Sequence, residues 1–180
     1  MKPLLVLPGY NKNEPGWRAG QMVMKAANRM PGLQLEWDSS SFLTFNFNVL
    51  WCIALNDSTF THLVMLHADV APKESNWLER IIQVTDEAGA DIMSAVIPLK
   101  TEHGLTSTAL ARGDNFGDFR RLTMTEATTL PVSFSKGKVA DLFGWDRSET
   151  ILLTNTGLMV VNMRHRDKLS KMAFDTRNWI

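Results

Sequence analysis

The chain has one cysteine, one tyrosine and no excess of either charge. A single cysteine, Cys52, excludes an intramolecular disulfide and a multi-cysteine zinc site. Because it lies in the apolar run 49–55, we expect a small buried side chain there rather than an exposed nucleophile. Nineteen Lys plus Arg balance nineteen Asp plus Glu, whereas a nucleic-acid binder normally carries a basic excess. We therefore expect no nucleic-acid partner.

Long hydrophobic runs are also missing. No segment approaches the ~18 apolar residues of a membrane span, and the apolar stretch 4–7 is too short for a signal peptide. The sequence therefore predicts a cytoplasmic chain without a transmembrane segment. Its 180 residues, 44% hydrophobic and 21% charged, are typical of one globular domain, since a domain averages roughly 150 residues. We expect a single domain over residues 1–180.

Strand and helix patterns alternate through residues 1–98, which predicts a mainly parallel sheet flanked by helices. Short apolar runs predict buried strands at 4–7, 61–66 and 90–97, and an alternating pattern predicts a strand at 33–37. Helical spacing predicts helices at 15–30, 47–55 and 74–88, with Trp51 and Trp77 in the core. After Pro98, alternating polar segments predict an antiparallel ribbon on the sheet's edge, a further strand pair and a short helix, at 104–111 with 121–127, 149–161 and 164–172 respectively. The predicted fold class is α/β with a mixed or antiparallel second half.

Polar loops follow the first three predicted strands, at 8–11, 38–41 and 67–69. In open α/β sheets, ligands bind at the carboxyl ends of the strands. His67 and Asp69 would point the same way in an extended segment, so they could converge on one divalent cation or one ligand. The alternative is that Asp69 caps the turn before Pro72 and His67 is a satisfied buried histidine. Two ligands at this spacing leave both interpretations open.

The segment 61–72 resembles the DxD segment of GT-A-fold, family-2-like glycosyltransferases. In that family an apolar strand carries an acidic triplet that holds Mn²⁺ or Mg²⁺ against the diphosphate of a nucleotide sugar. Segment 5–11 resembles the family's opening strand and nucleotide-binding loop. Segments 39–41 and 48–55 resemble its Arg-Asn pair and helix, and 154–161 resembles the turn and strand that line the acceptor side. The order of these segments matches the family over nearly the whole chain.

This resemblance implies a GT-A-like, Rossmann-like domain, with a nucleotide-binding half at 1–98 and an acceptor-side half at 99–180. It implies transfer of a sugar from a nucleotide sugar, most often a UDP-sugar, to a glycan, lipid or protein acceptor. Mn²⁺ or Mg²⁺ would be bound by Asp69 with His67. The nucleotide-binding residues that it implies are Pro8, Gly9, Tyr10, Asn11, Ser39, Asn48, His67, Ala68 and Asp69. The acceptor-side residues are Thr156, Gly157 and Trp145.

The chain departs from the family pattern at three places. His67 replaces the first acid of the triplet, and Phe47 stands before Asn48 where many members have arginine. The acidic pair that supplies the catalytic base in inverting members has no clear counterpart, which leaves Asp141 and Asp175 as candidates. The sequence therefore predicts a glycosyltransferase domain that is incomplete at its carboxyl end or unusually small. The alternative is a module that binds a nucleotide diphosphate without turnover. A nucleotidyltransferase is disfavoured because segment 8–11 lacks a glycine-rich, basic phosphate cradle.

Overall fold

The structure is a computed structural model that describes residues 1–9, 16–100, 104–112, 115–130 and 150–174. Its strands are β1 (Pro3–Gly9), β2 (Gln34–Ser39), β3 (His62–Leu66), β4 (Ile92–Ser94), β5 (Leu105–Arg112), β6 (Asn115–Thr123), β7 (Thr150–Leu153) and β8 (Leu158–Asn162). Its helices are α1 (Trp17–Arg29), α2 (Leu43–Asn56), α3 (Trp77–Glu87), α4 (Met124–Thr128) and α5 (Arg166–Leu169), with a 3₁₀ turn at Met163–His165. The strands form a five-stranded and a three-stranded sheet. The α/β fold class is confirmed.

The five-stranded sheet has the order β2-β1-β3-β8-β4. Strand β1 pairs in parallel with both β2 and β3, as the alternation of strands and helices predicts. Strand β8 pairs antiparallel with β3 over five residue pairs, from His62 opposite Asn162 to Leu66 opposite Leu158. The sheet is therefore mixed, and it combines the first part of the chain with a strand from near the carboxyl end.

Strand burial follows from position in this sheet. Every residue of β1, β3 and β8 is buried, because each of these strands has neighbours on both sides and carries apolar side chains on both faces. Helix α1 buries Ala19, Met22, Val23 and Ala26, at the i, i+3, i+4 and i+7 spacing of one helical face. Gly89, with φ of 61°, follows α3 in the left-handed conformation that commonly ends a helix.

Helix α2 supplies most of the core on one face of this sheet. Its Phe47, Leu50, Trp51 and Ala54 pack with apolar side chains of β1, β3 and β8. The side chains of Trp51 and Trp77 are 4% and 6% exposed, which confirms both as core residues. Helix α2 begins at Leu43, four residues before the predicted start. Its Cys52 is exposed, so the prediction of a buried cysteine is wrong: α2 is apolar on nearly all sides, and Cys52 lies outside the buried face.

The second half of the chain forms its own three-stranded sheet, with the order β6-β5-β7. The antiparallel pairing of β5 with β6 confirms the predicted ribbon. Its placement on the edge of the first sheet is wrong, because this sheet buries a separate apolar cluster of Leu110, Leu122 and Ala127. The two compact units of the chain reflect this division. Among the described residues, the first comprises those of Met1–Met93 and of 156–174, and the second comprises those of Ser94–Asn155.

Two further details of the second half differ from the sequence prediction. Strands β7 and β8 exist, but they do not pair with each other: β7 pairs with β5 and β8 with β3. The strand predicted at 121–127 ends at Thr123, because Thr123 and Glu126 form a capping box that starts α4. In this motif the threonine hydroxyl accepts from the Glu126 amide while the Glu126 carboxylate accepts from the Thr123 amide.

None of the helices in the described ranges combines the length and the apolar character that a membrane crossing requires. The division of the chain into nucleotide-binding and acceptor-side halves of a single domain stays a prediction.

Candidate functional site

The strand order creates a switch point between β1 and β3. From β1 the chain passes through α1 to β2 on one side, then through α2 back to β3 on the other side of β1. Loops that follow two such strands diverge, and the crevice at their carboxyl ends is where open α/β sheets bind ligands. The segments after β1 and β3 include the sequence-predicted residues from Tyr10 to Asn11 and from His67 to Asp69. Tyr10 and Asn11 lie outside the described residues.

The segment after β3 forms a turn. Strand β3 ends at Leu66, and the amide of Val70 donates to the carbonyl of His67 at 3.0 Å. His67 therefore begins a four-residue turn, 67–70, with Ala68 and Asp69 at its centre. We name it the β3 turn. The premise that His67 and Asp69 share one extended segment is wrong, so their convergence does not follow from strand alternation. Ala68 is buried, His67 is half-buried and Asp69 is exposed.

His67 is held by the turn that precedes β8. Its Nε2 lies 3.0 Å from the Thr156 hydroxyl, and its amide donates to the carbonyl of Gly157 at 2.9 Å. The Phe47 ring lies against the imidazole, with the ring centroids 5.3 Å apart. The structure thus brings together His67, Thr156 and Gly157, which the sequence placed in two separate motifs. The antiparallel pairing of β3 with β8 is what positions them.

The other end of the segment that follows β1 is also tied to the β3 turn. The amide of Gly16, the residue just before α1, donates to the carbonyl of Ala68 at 3.1 Å. A Cβ atom built at Gly16 would lie 3.9 Å from that same oxygen. The bond fixes where the chain enters α1 relative to Ala68 and Asp69.

Asn46 is a residue of this region that the sequence analysis did not identify. Its side chain is fully buried, and its Nδ2 donates to the Gly9 carbonyl at 3.0 Å and lies 3.4 Å from the Asp38 carbonyl. It therefore joins the carboxyl ends of β1 and β2. Its Oδ1 is buried and has no hydrogen-bond partner among the described residues. The signal that could have found it is a polar residue on the buried face of an apolar helix, because such groups are nearly always hydrogen-bonded.

Asn48 lies elsewhere. Its Nδ2 donates to the carbonyl of Phe174 and its Oδ1 accepts from the amide of Phe174, both at 2.9 Å. These bonds hold the segment after α5 against α2, and they engage both polar ends of the amide that was predicted to bind the nucleotide. The predicted Pro8 and Gly9 are buried in β1 itself. Ser39 ends β2, and its amide donates to its neighbour Asp38 at 2.9 Å.

Phe174, which Asn48 holds by two hydrogen bonds, is also connected to His67 through the Phe47 ring. Its ring lies 5.2 Å from the Phe47 ring, edge to face, and the Phe47 ring in turn contacts His67. Trp51 supports the same segment, since its Nε1 donates to the Met172 carbonyl at 3.1 Å. Among the remaining predicted site residues, Asp141, Trp145 and Asp175 lie outside the described residues. Asp175 directly follows Phe174.

The β3 turn fits one kind of divalent-cation site. Within the described ranges, no group of three or more His, Cys, Asp or Glu side chains is placed to hold a metal ion, so an all-protein metal cage does not fit these residues. Mg²⁺ in nucleotide sites is usually bound by one or two protein oxygens together with substrate phosphates and water. Asp69, an exposed carboxylate two residues after His67, is suited to that shared arrangement.

In the described part of the chain, Asp57 and Glu126 have clearly shifted pKa values, and both lie away from this region. Hydrogen bonds from Thr59, helped by Lys2, lower the pKa of Asp57 to about 2 in the turn after α2. The Thr123 amide and the Arg120 guanidinium lower the pKa of Glu126. Both shifts come from turn and cap hydrogen bonds, which stabilise the ionised carboxylate. They stabilise local structure and do not mark a catalytic acid.

We expect Asn46→Asp and Asn46→Ala each to lower the free energy of unfolding by about 1–3 kcal/mol, measured by urea unfolding. Asparagine-to-aspartate substitution keeps the shape of the side chain but replaces its donor with an acceptor beside the Gly9 and Asp38 carbonyls. Asn28→Ala on the exposed face of α1 is the matched control, and its stability should change little. An Asn46→Asp variant as stable as the parent would contradict the joining role of this amide.

No family model and no curated protein matches the chain. Among solved structures, it is similar to the crystal structure of A197 from STIV, with 14% sequence identity and a TM-score of 0.44 over 99% of this chain and 96% of that chain. A likeness of this size supports no statement about the function of the chain.

Proposed function

We propose that the chain is a metal-dependent glycosyltransferase with a GT-A-like fold, which transfers a sugar from a nucleotide-diphosphate sugar, in the first place a UDP-sugar. The observation that carries the proposal is the set of hydrogen bonds that holds the turn after β3 at the switch point. The turn with Asp69 is tied to Thr156 and Gly157 through His67, and to the start of α1 through Gly16. A carboxylate on a turn that is held at the carboxyl end of a parallel strand is suited to a nucleotide diphosphate and its cation.

In this proposal the nucleotide lies over the carboxyl ends of β1 and β2. Tyr10, Asn11 and Ser39 would contact the base and ribose, next to the buried Pro8 and Gly9 at the end of β1. The buried Asn46 would keep the β1 and β2 ends together, since it bonds to the carbonyls of Gly9 and Asp38. The diphosphate would extend toward the β3 turn, where Ala68 and Asp69 lie. The site is thus divided between strand ends that hold the nucleoside and a turn that holds the phosphates.

Asp69 would hold Mn²⁺ or Mg²⁺ together with the diphosphate, with His67 as the second protein ligand. The bound cation supplies charge neutralisation of the diphosphate leaving group. Metal-ligating histidines usually use one ring nitrogen for the metal and donate the other N–H to a fixed partner. Thr156, 3.0 Å from Nε2, would be that partner. The hydroxyl fixes the imidazole, and the Phe47 ring shields one of its faces.

The acceptor would approach from the side of Thr156 and Gly157, and Trp145, which lies outside the described residues, stays a sequence prediction. Transfer needs a base that takes the proton of the acceptor hydroxyl as the new bond to the anomeric carbon forms. Asp175 and Asp141 are the proposed candidates for this base. Phe174, which Asn48 and Trp51 support through the 172–174 segment, brings the described chain to the residue before Asp175.

The alternative is a module that binds a nucleotide diphosphate without transferring a sugar. The sequence has no clear counterpart to the acidic pair that supplies the catalytic base in the family it resembles, and this observation favours the alternative. Both functions require Asp69-dependent binding, so binding alone does not separate them. Turnover does.

The test is incubation of the chain with Mn²⁺ and a panel of UDP-sugars, followed by measurement of released UDP. We expect slow donor hydrolysis without acceptor, because water substitutes for the missing hydroxyl. Calorimetry with UDP and Mn²⁺ on the same sample measures binding. Binding without release of UDP from any donor would favour the binding module. Absence of both would contradict the proposed function.

A further inference from the structure

An apolar groove lies between α1 and β2, and we name it the β2 groove. Its volume is about 520 Å³, and its apolar lining comes from Leu7, Trp17, Val23, Met24, Leu35 and Trp37. Pockets of this size with aromatic linings are typical of binding sites. The groove is on the first structural unit and shares no residue with the β3 turn.

The lining side chains are unusually exposed for apolar residues. Trp17 is 79% exposed, Met24 is 60% exposed, Trp37 is 51% exposed and Leu35 is 40% exposed. Single exposed apolar residues are ordinary, but four that line one groove form a contiguous patch. Such patches mark interaction sites in soluble proteins.

The groove runs beside an open sheet edge. Strand β2 is the outermost strand of the five-stranded sheet, and within the described residues its only strand neighbour is β1. Leu35, Glu36 and Trp37 of β2 all line the groove. Strand alternation directs the side chains of Leu35 and Trp37 to the groove face and those of Glu36 and Asp38 to the opposite face. An edge strand with unpaired backbone groups is a template for a further strand.

The charges on this edge determine which strand fits. Neither Glu36 nor Asp38 forms an ion pair with the described part of the chain, and Glu36 accepts one hydrogen bond, from Gln34. If β2 of a second copy paired here with the apolar faces aligned, the carboxylates of the two copies would become neighbours. Like charges on neighbouring strands are destabilising. The edge therefore disfavours a second copy and favours a strand with cationic side chains.

We propose that the β2 groove binds an extended segment of another protein in which apolar residues alternate with lysine or arginine. The segment adds a strand to the β2 edge. Its apolar side chains enter the groove beside Leu35 and Trp37, and its cations face Glu36 and Asp38. Lys25 also lines the groove, which restricts the cations to the opposite face. Main-chain hydrogen bonds supply affinity, and the alternating side chains supply specificity.

The test is a titration of the isotope-labelled chain with the acetylated peptide Lys-Val-Lys-Val-Lys-Val, followed by amide and indole NMR signals. We expect shifts confined to β2, to the facing side of α1, and to the indoles of Trp17 and Trp37. The peptide Glu-Val-Glu-Val-Glu-Val should bind about tenfold more weakly. Trp37→Ser, and Glu36→Gln combined with Asp38→Asn, should each weaken binding of the lysine peptide by a similar factor. Phe42→Ser, at a phenylalanine that is 76% exposed outside the groove, is the matched control and should bind as the parent does.

Two peptides N-methylated on alternate residues distinguish strand addition from simple apolar binding. In an added strand, only every second residue directs its backbone groups toward β2, so one methylated peptide should lose binding and the other should keep it. Equal binding of both would overturn the proposal, as would equal binding of the acidic and basic peptides. Absence of shifts in β2 would also overturn it. So would a concentration-dependent dimer of the chain alone that shifts the β2 signals, because the occupant would then be a second copy.

Discussion

Asp69→Asn is expected to abolish Mn²⁺-dependent binding of UDP, lowering affinity by about 100-fold or more, since even outer-shell partners of metal ligands contribute roughly 10–100-fold. The carboxylate is exposed at the centre of the β3 turn, so the substitution removes a charge without opening a cavity. In the absence of metal, the parent chain and the Asp69→Asn variant should have the same affinity for UDP. Isothermal titration with and without Mn²⁺ measures the two quantities separately.

Glu74→Gln is the matched control for this experiment. Glu74 is an exposed carboxylate a few residues beyond Asp69, and its neutralisation changes the net charge of the chain by the same amount. It should leave Mn²⁺-dependent binding of UDP unchanged. If Asp69→Asn and Glu74→Gln bind equally well with Mn²⁺, Asp69 is not a ligand and the proposed function loses its central residue.

The parallel part of the fold could be predicted from the sequence because its signals are local. Residues 4–7 and 63–66 are continuous apolar runs, and only a strand covered on both faces accommodates such runs easily. The pairing partners of β7 and β8 could not be predicted in this way. Both are short strands in one stretch of chain, and whether they pair with each other or with β5 and β3 depends on contacts distant in sequence.

The orientation of α2 was the main obstacle to predicting the site. Residues 43–55 are apolar on nearly every side, so the hydrophobic pattern does not define which face is buried. Two residues apart on a helix means a rotation of about 200°, so Asn46 and Asn48 point to nearly opposite sides. Asn46 reaches the ends of β1 and β2, whereas Asn48 bonds to Phe174. The same ambiguity explains why the sequence pattern predicted a buried Cys52, whereas the structure shows it exposed.

The β3 turn was predicted in position but not in conformation. A polar segment after a buried strand marks the carboxyl edge of the sheet, and His67 and Asp69 lie there. The hydrogen bond from Val70 to His67 closes a turn that the sequence pattern did not identify. The bond between His67 and Thr156 spans 89 residues, and it exists only because β8 returns to pair with β3.

The second large effect is expected in stability, at Trp51. Trp51 is 4% exposed, its Nε1 donates to the Met172 carbonyl, and its ring lies edge to face with Phe174 at a centroid distance of 6.4 Å. Trp51→Ala should lower the free energy of unfolding by about 3–5 kcal/mol, through lost burial and the cavity that remains. Trp51→Phe should lower it by about 1–3 kcal/mol, because the ring is smaller and the Met172 carbonyl loses its donor. Urea unfolding measures both values.

Trp17→Ala is the control for the size of the change, because Trp17 is 79% exposed and its loss should alter stability by about 0.5 kcal/mol or less. The comparison also tests how the site is supported. Phe174 contacts both Trp51 and Phe47, and the Phe47 ring contacts His67. Trp51→Phe should therefore shift the NMR signals of the His67 ring while the chain stays folded. If Trp51→Ala is as stable as Trp17→Ala, the segment 172–174 is not anchored by this tryptophan and the path from Phe174 to the β3 turn is not a structural support.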